Sequence, residues 1–492
     1  MHLPDLADLR AEAAPNAPAL ADDRSSLTNT QFRDAVRAMS SLLSDRGISA
    51  GDVVAIMLPN QVEFVTALFA AWKLGATATP VNPSMTAQEI AFQIDDCSAK
   101  LVLTAPELVS KSPIDVPTLT DLTEQPARAH PDNAPVETTP DDLALLIYTS
   151  GTTGKPKGVM LDHANLTAMT AMSIEAFSLD AEVHSLLILP LFHVNGIVVS
   201  ILSPLAAGGR ATIAGRFDPS TFFDRVEAAR PTFFSGVPAI YAVLTNLPQT
   251  ITPDTSSLRY AVCGAAPASP ALLAAFEARF GVPVVEGYGL SEGTCASTVN
   301  PLNGPRKPGT VGLPLPGQSI RIVDDNGDTI DDGRPGEVLV KGANVMRGYL
   351  GRPEETAATV QDGWLRTGDI GRVDEDGYLT LVDRAKDMII RNGENIYPKE
   401  IENVVYQLSG VYEAAVVGQP HETKGEEPVL FVSLTADATI TEADIDAHVK
   451  AALSKYKWPV DIIVVDEVPK NPVGKIDKPS LRQRLAAPAP TT

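Results

Sequence analysis

Residues 148–158 read Tyr-Thr-Ser-Gly-Thr-Thr-Gly-Lys-Pro-Lys-Gly and follow directly on the apolar run Leu143–Ile147. Glycines let backbone N–H groups turn toward a ligand. The hydroxyls of Thr149, Ser150, Thr152 and Thr153 add donors, and Lys155 and Lys157 bring positive charge. This inventory suits a polyphosphate held in a backbone nest. It is not the Walker loop, because Gly151 lies only three residues before Gly154 and Lys155 is followed by Pro156.

Other stretches carry residues able to act on a nucleotide. In Gly287-Tyr288-Gly289-Leu290-Ser291-Glu292-Gly293, Tyr288 offers an aromatic face to a base and Glu292 is a hard oxygen ligand suited to Mg²⁺. Gly264-Ala265-Ala266 makes a wall of small residues where backbone can approach the base. Asp369, in Arg366-Thr367-Gly368-Asp369, can accept hydrogen bonds from both ribose hydroxyls, and Arg384 can donate to the sugar or a phosphate. Gly393, in Arg391-Asn392-Gly393-Glu394, would let another chain or a ligand come close to a strand edge. A second Gly/Lys loop, Pro472–Lys478, holds Lys475. Phe192-His193-Val194-Asn195-Gly196 adds a histidine in an apolar run. Taken singly, each has an ordinary reading: His193 a satisfied core histidine, Tyr288 core filler, Asp369 and Arg384 halves of surface ion pairs.

In this order, the motifs resemble the acyl-adenylate-forming superfamily of acyl-CoA synthetases, aryl-CoA ligases, luciferases and peptide-synthetase adenylation domains. The resemblance covers about residues 25–485. It implies an ATP-dependent carboxylate–CoA ligase working through an acyl-AMP intermediate, with ATP, Mg²⁺ and coenzyme A as cofactor and co-substrates. Catalytic roles fall on Lys475, Glu292 and His193, the last guarding the entry for carboxylate and CoA. The nucleotide falls to Thr149, Ser150, Gly151, Thr152, Thr153, Lys157, Gly264, Ala265, Ala266, Glu286, Gly287, Tyr288, Ser291, Asp369 and Arg384, and the metal to Glu292. Gly393 and Arg216 would meet CoA, and Lys386 matches the hinge. Lys475 and Gly393 would serve different half-reactions, so the domain bearing both must turn about Lys386. Asn195, Gly196, Val199, Ser200 and Cys263 would line the acyl pocket.

The elements that position these residues are readable from hydrophobic pattern. Val53–Leu58, Val62–Leu74 and Ala76–Val81 form a strand, an amphipathic segment and a second strand, hence a βαβ unit and a parallel sheet. The cadence returns at Thr232–Ser235, Tyr260–Cys263 with the helix Pro270–Phe280, and Val282–Val285. After Gly317, short strands between Asp/Asn/Gly turns predict an antiparallel region. Beyond Asp383 the pattern is compact α+β. The expected fold is therefore α/β: a large N-terminal domain over 1–383 of βαβ-built sheets with an antiparallel β-region, then a small mobile α+β domain over 384–492. The hinge would lie at 383–387.

Composition narrows the partners. Thirty-nine Lys and Arg against 61 Asp and Glu leave a net charge of −22, which argues against nucleic acid. Three widely spaced cysteines form no disulfide framework, and the seven histidines show no zinc spacing, so a reducing cytoplasm is expected. Neither a signal peptide nor a retention or peroxisomal signal is expected from the ends. Leu186–Leu205 is interrupted by Pro190, His193, Asn195, Gly196 and Pro204, so no transmembrane segment is expected there, although peripheral contact with a membrane stays open. Oligomeric state is not readable.

The acid is barely encoded. By resemblance, Gly287 leaves room where malonate-activating relatives carry an arginine, and Asn195 stands where hydroxycinnamate ligases often place an aromatic residue. A largely apolar wall with a small polar notch suits a fatty acid. Aryl, hydroxycinnamate or oxalate substrates, transfer to a carrier protein in place of CoA, and a catalytically idle nucleotide-binding regulator are the competing readings.

Overall fold

The helix Val62–Lys73 is apolar nearly all round, and only Glu63 and Lys73 of its residues escape burial. Such a helix must be covered on every side. In the computed structural model it connects the parallel strands Val53–Met57 and Thr77–Pro80 and packs against both, and the two strands pair in register from Val53 with Thr77. Trp72 at its end is fully buried and donates its indole N–H to the Ala144 carbonyl at 2.8 Å. That bond ties the helix to the strand Leu143–Ser150, which leads into the glycine-rich loop. The structure describes residues 2–113, 115–122, 138–150, 156–266, 268–392, 394–421, 423–435, 438–470 and 476–486, with the Ser150 and Ala486 side chains excepted.

The chain packs as two units, Met1–Ile320 with Val340–Arg366, and Arg321–Leu339 with Thr367–Thr492. Among the described residues the first holds two large sheets. One has nine strands, with a parallel centre running through Val284–Tyr288, Tyr260–Cys263, Phe233–Gly236, His184–Leu187 and Arg210–Ile213. The other has seven and is parallel from Leu143–Ser150 outward through Thr77–Pro80, Val53–Met57 and Leu101–Thr104. Its opposite edge turns antiparallel, where Leu143–Ser150 pairs with Pro156–Asp162 and that strand with the short Gly348–Tyr349. Asp162 ends its strand and begins the helix His163–Ala176 with a capping box to Asn165.

In the second unit a five-stranded sheet is built on the long hairpin Val411–His421 and Gly425–Leu434. Its alternation is clean: Ala414 and Val416 join one apolar cluster with Ile401 and Ile445, while Ala415 and Val417 join another with Leu481. Both strands run past their apolar segments Ala414–Val417 and Val429–Leu434. The polar stretch Gln419–His421 against Gly425–Glu427 continues the backbone ladder past the apolar core. Packing also places 367–383 in the second unit, whereas the sequence reading ends the large domain at 383. Leu186–Leu205 resolves into a strand, a turn and short helical pieces, and no helix among the described residues is long and apolar enough to cross a membrane.

Two core histidines give the first unit a pH dependence. Burial pushes His163, packed edge-on to Trp72 and near His2, down to about 4. Burial does the same to His184, whose Nε2 meets Thr212 Oγ1 at 2.8 Å, with Arg210 adding to the shift. An unfolded histidine titrates near 6.5, so below that pH the unfolded chain takes up protons that the folded chain refuses. Stability is therefore full above 6.5 and falls as pH drops toward 4. By pH 5 each histidine should remove on the order of 2 kcal/mol. Denaturant titrations from pH 7.5 to 5 check this, and His184→Gln should flatten the fall; an unchanged slope would exclude His184.

Candidate active site

The loop is entered by one strand and left by another, with Thr149 opposite Lys157 and Ser150 opposite Pro156. Gly151, Thr152 and Thr153 lie outside the described residues. Gly158 is crowded by what crosses it: a Cβ there would stand 3.1 Å from the Tyr148 ring and 3.4 Å from Leu350 Cβ. Tyr148 donates its hydroxyl to Asp96 at 2.7 Å, and Arg352 reaches the other Asp96 oxygen at 3.4 Å. The strand that enters the loop is thus braced by side chains from distant segments.

Lys157 is the one cation in the described part of this hairpin. Its side chain is 12% exposed, its ammonium pairs with Glu355, and it lies 5.0 Å from the centroid of the Tyr349 ring. The Tyr349 hydroxyl donates to Glu292 Oε1 at 3.0 Å. Burial, then the Glu292 charge, raises the Tyr349 phenol well above its ordinary range, so it acts as a donor at neutral pH. Two predicted residues, far apart in sequence, are therefore joined by a third that no motif marked. The segment bearing Tyr349 is stapled to the turn bearing Glu292: Met346 N–H donates to the Glu292 carbonyl and Asn344 Nδ2 to the Gly293 carbonyl, each at 2.8 Å.

Around Glu292 the backbone folds tightly on itself. A Cβ on Gly289 would fall 1.7 Å from the Cys295 carbonyl oxygen, so only glycine fits. Thr294 and Cys295 take positive φ, 54° and 113°, as non-glycine residues, which marks stored strain at this turn. Gly287 and Gly264 are milder, their Cβ positions 3.1 Å from the Thr298 oxygen and 3.3 Å from the Gly287 oxygen. Ala265 is left-handed at φ 66°, while Ala266 is exposed. Glu286 is buried and accepts from Ala268 N–H at 3.2 Å, which holds the 264–268 loop against its neighbour strand. Tyr288 is buried, and Ser291 opens the short turn through Glu292.

The expected acyl-pocket residues cluster on the turn after Pro190. His193 precedes the first helical residue, its ring 4.7 Å from Phe192. Gly196 is demanded by the Pro190 carbonyl, 2.6 Å from where a Cβ would be. The Ser235 hydroxyl donates to Asn195 Oδ1 at 3.2 Å, and the buried Cys295 thiol also meets Asn195. Val199 and Ser200 lie in a π-helical stretch inside the core, with the Ser200 carbonyl accepting from Ser185. Cys263 ends its strand fully buried, and burial raises its thiol. Arg216 is exposed on the loop after Arg210–Ile213.

In the second unit Asp369 and Arg384 are opposite one another across paired strands, with Arg384 Nε 2.7 Å from Asp369 Oδ1. Lys386 is exposed in the turn Ala385–Asp387. Gly393 and Lys475 lie outside the described residues. Beside the latter, Lys470 and Ile476 bridge in antiparallel fashion and Lys478 pairs with Glu402 at 2.8 Å. Among the described residues no three His, Cys, Asp or Glu converge as a metal site. A divalent cation would depend on Glu292 together with phosphate oxygens, a donor set that suits Mg²⁺.

A family model described as AMP-binding enzyme matches residues 8–350, and one described as AMP-binding enzyme C-terminal domain matches 400–475. The chain belongs to the AMP-binding enzyme family. It is 37% identical over 484 residues to an oxalate–CoA ligase of Arabidopsis thaliana, covering 93% of each chain. It is 35% identical over 502 residues to the long-chain-fatty-acid–CoA ligase FadD13 of Mycobacterium tuberculosis, covering 98% of each. The solved structure of ATP-bound MatB from Rhodopseudomonas palustris superposes with a TM-score of 0.91 at 32% identity, covering 98% of this chain and 99% of that one. This AMP-binding enzyme is a carboxylate–CoA ligase that uses ATP and CoA.

Two placements in the enzyme differ from simple inspection of its motifs. A cavity of about 340 Å³ lined by Phe177, Asp180, Thr232, Arg259 and Tyr260 sits at the N-terminal ends of the parallel strands and holds none of the predicted residues. Conversely, Tyr349, Glu355 and Asp96 contact or brace the predicted set and lie outside every motif, and Tyr148, the first residue of the glycine-rich motif, braces it through Asp96. The alternation of a two-residue edge strand is too short to read, though Gly348-Tyr349 before Pro353-Glu354-Glu355 is a visible turn signal.

The glycine geometry predicts an ordered pair of outcomes. Gly289→Ala should destabilise the enzyme by about 3 kcal/mol or more, because the carbonyl it strikes belongs to backbone. Gly264→Ala, with only one contact at 3.3 Å, should stay within about 1 kcal/mol. Denaturant unfolding measures both, and equal effects would contradict the backbone reading.

Proposed function

We propose that this AMP-binding enzyme activates a fatty acid, first as its acyl-AMP and then as its CoA thioester. The observation that carries the reading is the convergence of Lys157 and Glu292 on Tyr349 beside the glycine-rich loop. A carboxylate is a poor acyl donor because oxide would have to leave. Its attack on the α-phosphorus of ATP forms the acyl–phosphate bond as the bond to the β-phosphate bridging oxygen breaks, releasing pyrophosphate. The charge growing on that leaving group would be met by Lys157 and the hydroxyls of Thr149, Ser150, Thr152 and Thr153. Mg²⁺ bound by Glu292 and the phosphates would supply further charge neutralisation there.

Lys475 would neutralise the attacking carboxylate and the α-phosphate together, Asp369 and Arg384 would serve the ribose, and Glu286, Gly287, Tyr288, Ser291 and the 264–266 segment the adenine side. His193 would guard the entry. Gly393 and Arg216 would meet CoA, whose thiol attacks the acyl carbon and expels AMP. The segment 384–492 carries both Lys475 and Gly393, so it would turn about Lys386 between half-reactions. Three free buried cysteines are in keeping with a reducing cytoplasm.

A fatty acid is favoured because Asn195, Gly196, Val199, Ser200, Cys263 and Gly287–Leu290 bring no lysine or arginine to bind a second anionic group. The small polar group of Ser235, Asn195 and Cys295, with the similarity to an oxalate–CoA ligase, favours a short polar acid as the second reading. A panel from acetate to palmitate with oxalate and coumarate decides between them; maximal kcat/KM on oxalate would displace the fatty acid. AMP release with and without CoA tests the carrier-protein alternative.

Lys475→Ala should lower adenylate formation at least about hundredfold while sparing thioester formation from supplied acyl-adenylate. Gly393→Leu should show the reverse. Loss of both half-reactions in either variant would refute that division of labour.

A further inference from the structure

Tyr349 touches two residues that the proposed adenylation uses. Its ring lies under the Lys157 ammonium, 5.0 Å to the centroid, and its hydroxyl donates to Glu292 Oε1 at 3.0 Å. The ring has little freedom of its own. Tyr349 pairs in register with Val159, two residues after Lys157, and its N–H donates to Thr356 Oγ1 at 2.9 Å. Thr356 Oγ1 in turn donates to the Arg352 carbonyl at 2.8 Å, fixing the turn that also presents Glu355 to Lys157. Glu292 is fixed from its own main chain, whose carbonyl takes the Met346 N–H at 2.8 Å. One phenol therefore bridges a cation and a carboxylate on separate segments, each held by backbone hydrogen bonds to the segment that bears Tyr349.

We propose that Tyr349 is a positioning residue for adenylation: its hydroxyl occupies one oxygen of Glu292 so that the other faces the divalent cation carried by ATP, and its ring steadies Lys157 toward the polyphosphate. The inference rests on the assignment of Glu292 and Lys157 proposed above. A small cation with strict octahedral demands is served by one carboxylate oxygen at a defined angle, and a donor on the second oxygen enforces that choice. The aromatic face favours an ammonium without competing for it as a second anion would.

Tyr349→Phe keeps the ring and removes the hydroxyl, whereas Tyr349→Leu removes both. Calorimetry on the full-length protein gives the ATP dissociation constant in excess Mg²⁺ and again in excess EDTA. Tyr349→Phe should lose about five- to tenfold of the affinity that Mg²⁺ adds, with metal-free ATP bound as in the wild type. Tyr349→Leu should in addition weaken metal-free ATP about two- to fivefold. The Mg²⁺ concentration for half-maximal ATP–pyrophosphate exchange should rise with the first effect, and thioester formation from supplied acyl-adenylate should not change. A merely structural role would weaken both ATP constants of Tyr349→Phe equally, and that result overturns the proposal. Glu292→Gln is the reference. If it loses the Mg²⁺-dependent affinity while Tyr349→Phe keeps it, the proposal alone falls; if Glu292→Gln keeps it too, the assignment of Glu292 falls as well.

Discussion

An ammonium withdrawn from water has to be paired, and the structure around Lys157 is organised by that requirement. Only 12% of its side chain remains exposed, and isolated charges at such burial are strongly disfavoured. Glu355 supplies the counter-charge and Tyr349 the aromatic face, so a strand and a helix from nearly two hundred residues downstream must return to the loop hairpin. That return needs its own anchors. Asn165, already part of the capping box at Asp162, donates to the Ala343 and Val345 carbonyls, both at 2.9 Å. The same residue therefore starts one helix and docks the segment that completes the charge pair.

What could be read from the sequence followed from local chemistry. The strands around Val53, Thr77 and Tyr260 stand where apolar runs place them, because a parallel strand buried on both faces leaves a continuous signal. Glycines at 158, 196 and 289 are visible as residues, but the groups that crowd them are not. Pro190 O, Cys295 O and the Tyr148 ring arrive through packing that no spacing rule encodes. The strained Thr294 and Cys295 gave no signal, since neither residue type is marked for a left-handed backbone. The pairing of Asp369 with Arg384 joins two residues the motifs listed separately, and it depends on strand register. Tyr349 is unmarked in the sequence for a plainer reason: its contacts with Lys157 and Glu292 are long-range.

The region assigned to the acid combines strict packing with modest chemistry. Gly196 is held against a carbonyl and Val199 and Ser200 are enclosed in the core, so the helix through them has little room to move. Variation in substrate among such enzymes would then fall on side chains that reach the turn from other strands, Ser235 and Cys295 among them. Asn195 is the meeting point, which makes it a lever on both neighbours at once.

The three cysteines have a practical consequence. Cys97, Cys263 and Cys295 are all buried, and burial pushes Cys97 up to about 11 and Cys295 up to about 12, with Cys263 raised as well. At neutral pH these sulfurs stay protonated and shielded, hence poor nucleophiles. In a reaction mixture the thiol of coenzyme A is then the reactive one. A thiol-specific dye can follow its consumption continuously, with the folded enzyme contributing almost no background colour.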